Sequence, residues 1–217
     1  MPTLKWRSLA GFAALAAPIL MWSEFLSMGL TRHGYNLLTR PFSDLATRGT
    51  QNSTIFDLGF FLVPGVLAIV LGLGMAFSIR GGQAWRAGAA LVVGAGAFQI
   101  ATGIFQQDPT SVVAGVLHGT MAQICFALAS VAPLVLFFGS RDHAHLSPPR
   151  RMWMAAGIAS FAIEAFALAI HPLVHYPDGL FQRPFTLVLT VFFVTTGIWL
   201  LRSRGLERRL EPQPVYT

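Results

Sequence analysis

Six apolar runs, each about as long as a helix needs to cross the ~30 Å hydrocarbon layer of a bilayer, occupy most of this chain. They read as Leu9 to Leu30, Ile55 to Ile79, Ala87 to Phe105, Val116 to Phe138, Met152 to Ile170 and Phe185 to Leu201. A transmembrane barrel would show alternating segments of about ten residues, whereas these runs are continuous and rich in Leu, Ala, Gly and Phe. The expected fold is therefore all-α: a polytopic membrane protein, a six-helix transmembrane bundle forming one domain over residues 1–217. With 54% hydrophobic and 11% charged residues, the chain has too little polar surface for a soluble globule.

The net charge of +6 has a topological origin. With a cytoplasmic N-terminus, only Arg32, Arg40, Arg48 and Arg183 of the 15 Lys and Arg residues face outward, as the positive-inside rule requires. This predicts two cytoplasmic termini, no nucleic-acid partner, and residence in a prokaryotic plasma membrane. Trp6, Trp85, Trp153 and Trp199 fall at the cytoplasmic ends of spans, where an aromatic belt is expected; Trp22 is the exception. The single cysteine, Cys125, lies within the fourth span, so it forms no intrachain disulfide and is assigned to packing. The first span continues past a short Ala14-Leu15-Ala16 stretch to Leu30 and is read as an uncleaved helix.

Chemistry-capable residues gather at the opposite, outer side. The connection from Thr31 to Thr54 reads TRHGYNLLTRPFSDLATRGTQNST, too long for a minimal hairpin. Its apolar members predict a short helix across the bundle mouth, with Ser43 or Asp44 as its cap. Glu24 and Glu164 lie inside spans at a shared depth, roughly 9 Å below the outer boundary at 1.5 Å per residue. Asp57 is placed at the start of the second helix as a cap, and Asp108 before Pro109 is placed in a turn. Gln99 and Gln106, seven apart, are expected on one face of the third helix, as are Glu164 and His171 on the fifth. Together these stripes predict a polar cavity opening outward. His118, His171 and His175 with nearby carboxylates would suit zinc, although Pro172 disturbs the spacing of the last two and no HExxH pattern is present. Histidines at the membrane edge disfavour haem. Neither a serine elbow, a P-loop nor a GxGxxG unit occurs.

Four short segments carry a resemblance: Arg40-Pro41-Phe42-Ser43-Asp44-Leu45, Phe105-Gln106-Gln107-Asp108, Gly115-Val116-Leu117-His118 and Gly179-Leu180-Phe181-Gln182-Arg183. In their order and spacing the chain resembles the bacterial and archaeal six-helix family called domain of unknown function 998. More remotely it is similar to the DRAM and FGF-receptor-activating-protein superfamily, through Ser43, Asp44, Phe56 and His118. The resemblance implies an outward site built around Ser43, Asp108, His118 and Arg183. The leading expectation is a cavity that binds or modifies a lipid or lipid-linked headgroup. In it Asp108, His118 and Ser43 are the catalytic candidates, and Arg183, Arg40, Gln182, Glu24, Glu164 and Asp57 the binding candidates, with Arg183 and either Arg40 or Arg48 expected to pair a headgroup phosphate. The alternative is a non-catalytic proton-coupled transporter, sensor or scaffold using Glu24 and Glu164.

Overall fold

The computed structural model describes residues 2–79, 81–141, 147–170 and 178–210. Six helices are long and apolar enough to cross a membrane, so the chain is an integral membrane protein with an all-α fold. In lipid each backbone N–H and C=O must find its partner within the protein, and a continuous helix satisfies them along its own axis. The helices are α1 (Pro2–Thr31), α2 (Ser53–Ser78), α3 (Gln83–Ile104), α4 (Val112–Gly139), α5 (Ser147–Ile170) and α6 (Gly179–Leu210). Each packs against the next, and α6 returns against α1, which closes the six into a ring in chain order.

Small residues set the helix spacing. A Cβ added at Gly96 on α3 would stand 2.5 Å from the Gly65 carbonyl oxygen on α2, and one added at Gly65 would stand 2.8 Å from that of Gly96. Gly11 on α1 and Gly197 on α6 face each other in the same manner, a Cβ added at each standing 3.2 and 2.9 Å, respectively, from the opposing carbonyl oxygen. Helix association in lipid rests on such close packing, because lipid tails are as apolar as the side chains themselves.

The two ends of the ring are filled differently. Toward the short α2–α3 connection the axis is solid, with Leu71, Met75, Trp85, Leu136, Trp153 and Leu200 in one buried cluster. Trp85 and Trp153 are 0% exposed, 5.7 Å apart between ring centroids. Their indole N–H groups donate to the Met75 carbonyl at 3.1 Å and the Thr196 hydroxyl at 2.8 Å. The expected interfacial belt is thus corrected: these two rings are core, since partners inside the bundle satisfy the indole N–H as well as headgroups would. Trp6 keeps an exposed edge, and Trp22 donates to Thr190 at 2.8 Å.

At the other end a second cluster joins α1, the long loop and α2 through Phe25, Phe42, Leu45, Phe56, Phe60 and Phe61. The loop helix is a single 3-10 turn, Phe42–Asp44, whose Phe42 packs 4.7 Å from Phe25 and 4.8 Å from Phe60. Ser43 and Asp44 sit inside that turn and Pro41 precedes it, so neither polar residue caps it. The second helix holds a further departure. It begins at Ser53 after Asn52, whose φ is 60°, and its Asp57–Leu62 stretch is π-helical. Asp57 is therefore a buried interior residue and not the expected cap. Such π segments are frequent at functional sites.

Candidate functional site

Between the two clusters the ring is hollow. A cavity of about 560 Å³ lies inside it and takes wall residues from all six helices and the long loop. Ala17 and Met21 come from α1, Phe61 and Pro64 from α2, Gln99 and Thr102 from α3. His118, Ala122 and Gln123 come from α4, Glu164 and Leu168 from α5, and Gln182, Thr186 and Thr190 from α6. The loop adds Phe42 and Ser43. Its size lies within the roughly 300–1,000 Å³ range of small-ligand sites, and its make-up is similar: an apolar wall interrupted by a few hydrogen-bonding groups.

Gln99 on α3 donates to the Phe60 carbonyl at 3.0 Å, tying it to the π segment. Gln123 donates to the Glu164 carboxylate across the α4–α5 gap. Gln182 accepts from the Phe42 N–H at 2.9 Å, which holds the loop turn over the cavity. His118 is 5% exposed, and its Nδ1 lies 3.1 and 2.9 Å from the Thr102 and Phe105 carbonyl oxygens. Both partners can only accept, so Nδ1 is assigned the hydrogen, and the ring closes the last turn of α3.

The expected catalytic set does not meet in one place. Asp108 lines a separate, smaller depression beside the loop. Its Oδ1 accepts from the Thr110 N–H at 2.9 Å and hydroxyl at 2.6 Å, and Arg48 stands 3.6 Å from its other oxygen. This is the turn role foreseen for it. The Thr110 bonds, with Arg48 adding to them, hold the Asp108 carboxyl below the usual carboxylate range. Its folded value is depressed, so its contribution is present above the ordinary carboxylate pKa and lost as pH falls through the depressed value. The expected outcome is that the Arg48 amide hydrogen, which donates to the Gln107 carbonyl at 2.8 Å, loses protection, measured against its intrinsic exchange rate at each pH, only on acidification below the ordinary carboxylate range. Unchanged protection at low pH in wild type, or at neutral pH in Asp108→Asn, would refute it.

Of the other catalytic candidates, His118 and Ser43 both line the cavity. The expected binding set also divides: Glu164 and Gln182 line the cavity, whereas Arg183, Arg40, Glu24 and Asp57 do not. Arg183 donates to the Arg40 carbonyl at 2.6 Å and the Tyr35 hydroxyl at 3.1 Å, with its guanidinium 5.0 Å from the Phe25 and Phe42 ring centres. Arg40 pairs with Asp44 at 3.1 Å. Glu24 lies against Gly59 of the π segment, where an added Cβ would collide with its side chain. Asp57 receives a hydrogen bond from Gln106. Because α3 ends at Ile104, Gln106 leaves the helical face it was expected to share with Gln99. His171 and His175 lie outside the described residues. Among the described residues no three His, Cys, Asp or Glu side chains are grouped to hold a metal.

The four segments that carried the resemblance bond in two pairs: the Phe42 N–H donates to Gln182 and Arg183 to the Arg40 carbonyl, while His118 binds Phe105. Residues beside the first segment add to this, since the Gly179 N–H donates to the Thr39 carbonyl at 3.1 Å and the Arg48 N–H to the Gln107 carbonyl. Residues 15–199 match the profile of a family described as a protein of unknown function, DUF998. The chain belongs to the DUF998 family. No curated protein and no solved structure matches it. In this DUF998 chain the quoted segments form a hydrogen-bonded collar at the long-loop end, and the cavity lies beneath it. Sequence reasoning favoured charges and so passed over Gln123, Thr186 and Thr190. Their signal was present, as amides and hydroxyls spaced along otherwise apolar spans.

Proposed function

We propose that this DUF998 protein binds a membrane amphiphile, a lipid or lipid-linked molecule, with its headgroup among the cavity amides and hydroxyls. The observation that carries this reading is the composition of the cavity wall. Gln99, Gln123, Gln182, Thr186 and Thr190 supply neutral donors and acceptors, Glu164 and Asp178 supply carboxylates, and no Lys or Arg is among the described lining residues. A phosphate held there would face carboxylates without a cation, so the wall favours an uncharged, hydrogen-bonding headgroup or a cationic one. This replaces the phosphate clamp expected of Arg183 and Arg40. The remoter likeness to the DRAM superfamily, with its links to lipid and GPI-anchor processing, points in the same direction. With the termini cytoplasmic, the collar faces outward.

Binding is favoured over passage across the membrane, because the Trp85–Trp153 cluster fills the axis on the far side of the cavity. It is also favoured over catalysis by Asp108 and His118, whose side chains have separate partners. The test is lipid extraction from detergent-purified protein followed by mass spectrometry, comparing wild type with Ala122→Trp, which places an indole in the cavity. Wild type is expected to retain one amphiphile class lacking a phosphate, enriched over the surrounding membrane. The variant should lose roughly tenfold of it, a cost of about 1.4 kcal/mol. Wild-type protein carrying only the bulk lipid mixture would refute the proposal.

A further inference from the structure

The α4–α5 seam changes along its length. At the end near the Trp85–Trp153 cluster it is tight, since a Cβ added at Gly157 on α5 would stand 2.5 Å from the Leu134 side chain on α4. Farther along, Gln123 and Glu164 bridge the two helices through the ends of their side chains. Beyond that bridge the seam is open: a Cβ added at Gly115 or Gly119 would meet nothing within 4 Å. Gly119, Gln123 and Leu168 line the cavity and are nonetheless exposed, Leu168 at 57%. Wall residues exposed to that degree mark the edge of an opening.

The depth of this opening identifies what lies outside it. Gln123 is about 16 Å along α4 from its start and Glu164 about 9 Å from the end of α5, at 1.5 Å per residue. Both helices are apolar spans of membrane-crossing length, so the gap faces hydrocarbon. The rim is apolar apart from the bridge, with Leu168 one turn beyond Glu164 on the same face of α5. Across the cavity Thr186 and Gln182 on α6 offer the hydrogen-bonding wall. An amphiphile arriving sideways would meet that wall with its head while its chain still lay among the bilayer tails.

We infer that the gap between α4 and α5 is a lateral portal through which the acyl chain of a bilayer lipid reaches and leaves the cavity, with the Gln123–Glu164 hydrogen bond as its latch. The inference rests on the amphiphile-binding reading and adds the route. Two glycines on α4 keep the rim clear, and the bridge is the one cross-seam hydrogen bond described at this height. Widening the portal requires that this bond part, since among the described residues no side chain lies within 4 Å of a Cβ placed at Gly115 or Gly119.

The test uses the full-length protein in vesicles of phosphatidylcholine containing a monoacylglycerol with a diazirine on its acyl chain. Gly119→Cys and Leu168→Cys, each one turn from the bridge along the open seam and neither part of the hydrogen-bonding wall, are introduced together in a Cys125→Ser background. A Cβ at Gly119 meets nothing within 4 Å, so a short thiol-reversible bis-thiosulfonate linker is used to join the cysteines across the gap. Photolysis followed by peptide mapping is expected to label Ala122 and Thr186 in the unlinked protein. Labelling should fall at least tenfold in the linked protein and return on reduction, while labelling of the outward Phe161 stays constant as a folding control. Equal cavity labelling with and without the linker overturns the portal and leaves amphiphile binding standing. No cavity labelling in the unlinked protein also overturns it; co-purified lipid in wild type would then keep the binding reading, and its absence would remove both.

Discussion

Gly96→Leu is expected to lower the unfolding midpoint more than any substitution in the cavity wall. A Cβ at this position already stands 2.5 Å from the Gly65 carbonyl oxygen and 3.0 Å from Ala68 and Ile69 side-chain atoms. The obstructing oxygen belongs to a helix backbone, so relief requires α2 and α3 to separate along their whole seam. Overpacking of this kind costs about 3 kcal/mol, against which leucine recovers only about 0.8 kcal/mol of helix propensity lost to glycine. Gly119→Leu provides the control, because it gains the same propensity at a place where an added Cβ meets nothing within 4 Å. The control should melt at or above wild type. Trp85 and Trp153 are fully buried, so their intrinsic fluorescence reads unfolding. If Gly96→Leu melts with wild type, the α2–α3 seam is not held by backbone proximity.

Removal of the Arg183 guanidinium should loosen the collar without emptying the cavity of its amphiphile. Its two hydrogen bonds reach the Arg40 carbonyl and the Tyr35 hydroxyl, and Tyr35 in turn donates to the Pro41 carbonyl at 3.0 Å. Burial raises the Tyr35 phenol above its ordinary range, with Arg183 acting against that rise, so the phenol stays protonated and keeps donating at neutral pH. Hydrogen bonds from a charged group contribute about 1.5–3 kcal/mol, and the contacts with Phe25 and Phe42 add about 0.5–1 kcal/mol. Arg183→Ala is therefore expected to cost about 2–3 kcal/mol and to speed hydrogen exchange at the Phe42 and Gly179 amides. Arg183→Lys should not restore protection, because an ammonium cannot both fork between two oxygens and lie flat on rings. A phosphate clamp would behave in the opposite way: Arg183→Ala would strip phospholipid and leave loop exchange unchanged.

The membrane-spanning helices were legible because each is a long, uninterrupted apolar run, and bilayer thickness turns run length into structure. Their ends were less legible. Helix α4 starts at Val112 and α6 at Gly179, each ahead of the apolar core of its run, because Ser111 accepts from the Ala114 N–H to begin one and Asp178 accepts from the Phe181 and Gln182 N–H groups to begin the other. The π segment at Asp57 left no periodic signal, since a single added residue per turn does not alter an all-apolar pattern. Among the site residues, Glu164 was legible because a carboxylate inside a span is costly and must have a purpose. Glu24 gave the same signal and faces Gly59 away from the cavity. Span depth is encoded in residue number; azimuth around the ring is not, for it depends on which neighbour each helix packs against.

By itself the sequence determined that this chain crosses a membrane six times, that its chemistry-capable residues lie toward one end, and which family it resembles. Those properties depend on hydropathy, run length and short local motifs, all of which are additive along a chain. Only the tertiary structure decided that Arg183 braces a loop, that His118 closes α3, that Trp85 and Trp153 are core, and that a hollow with a gap between α4 and α5 remains. These are consequences of ring closure. Which side chains meet inside the bundle is set by glycine contacts and by the helix order around the axis, and neither can be read from any one span.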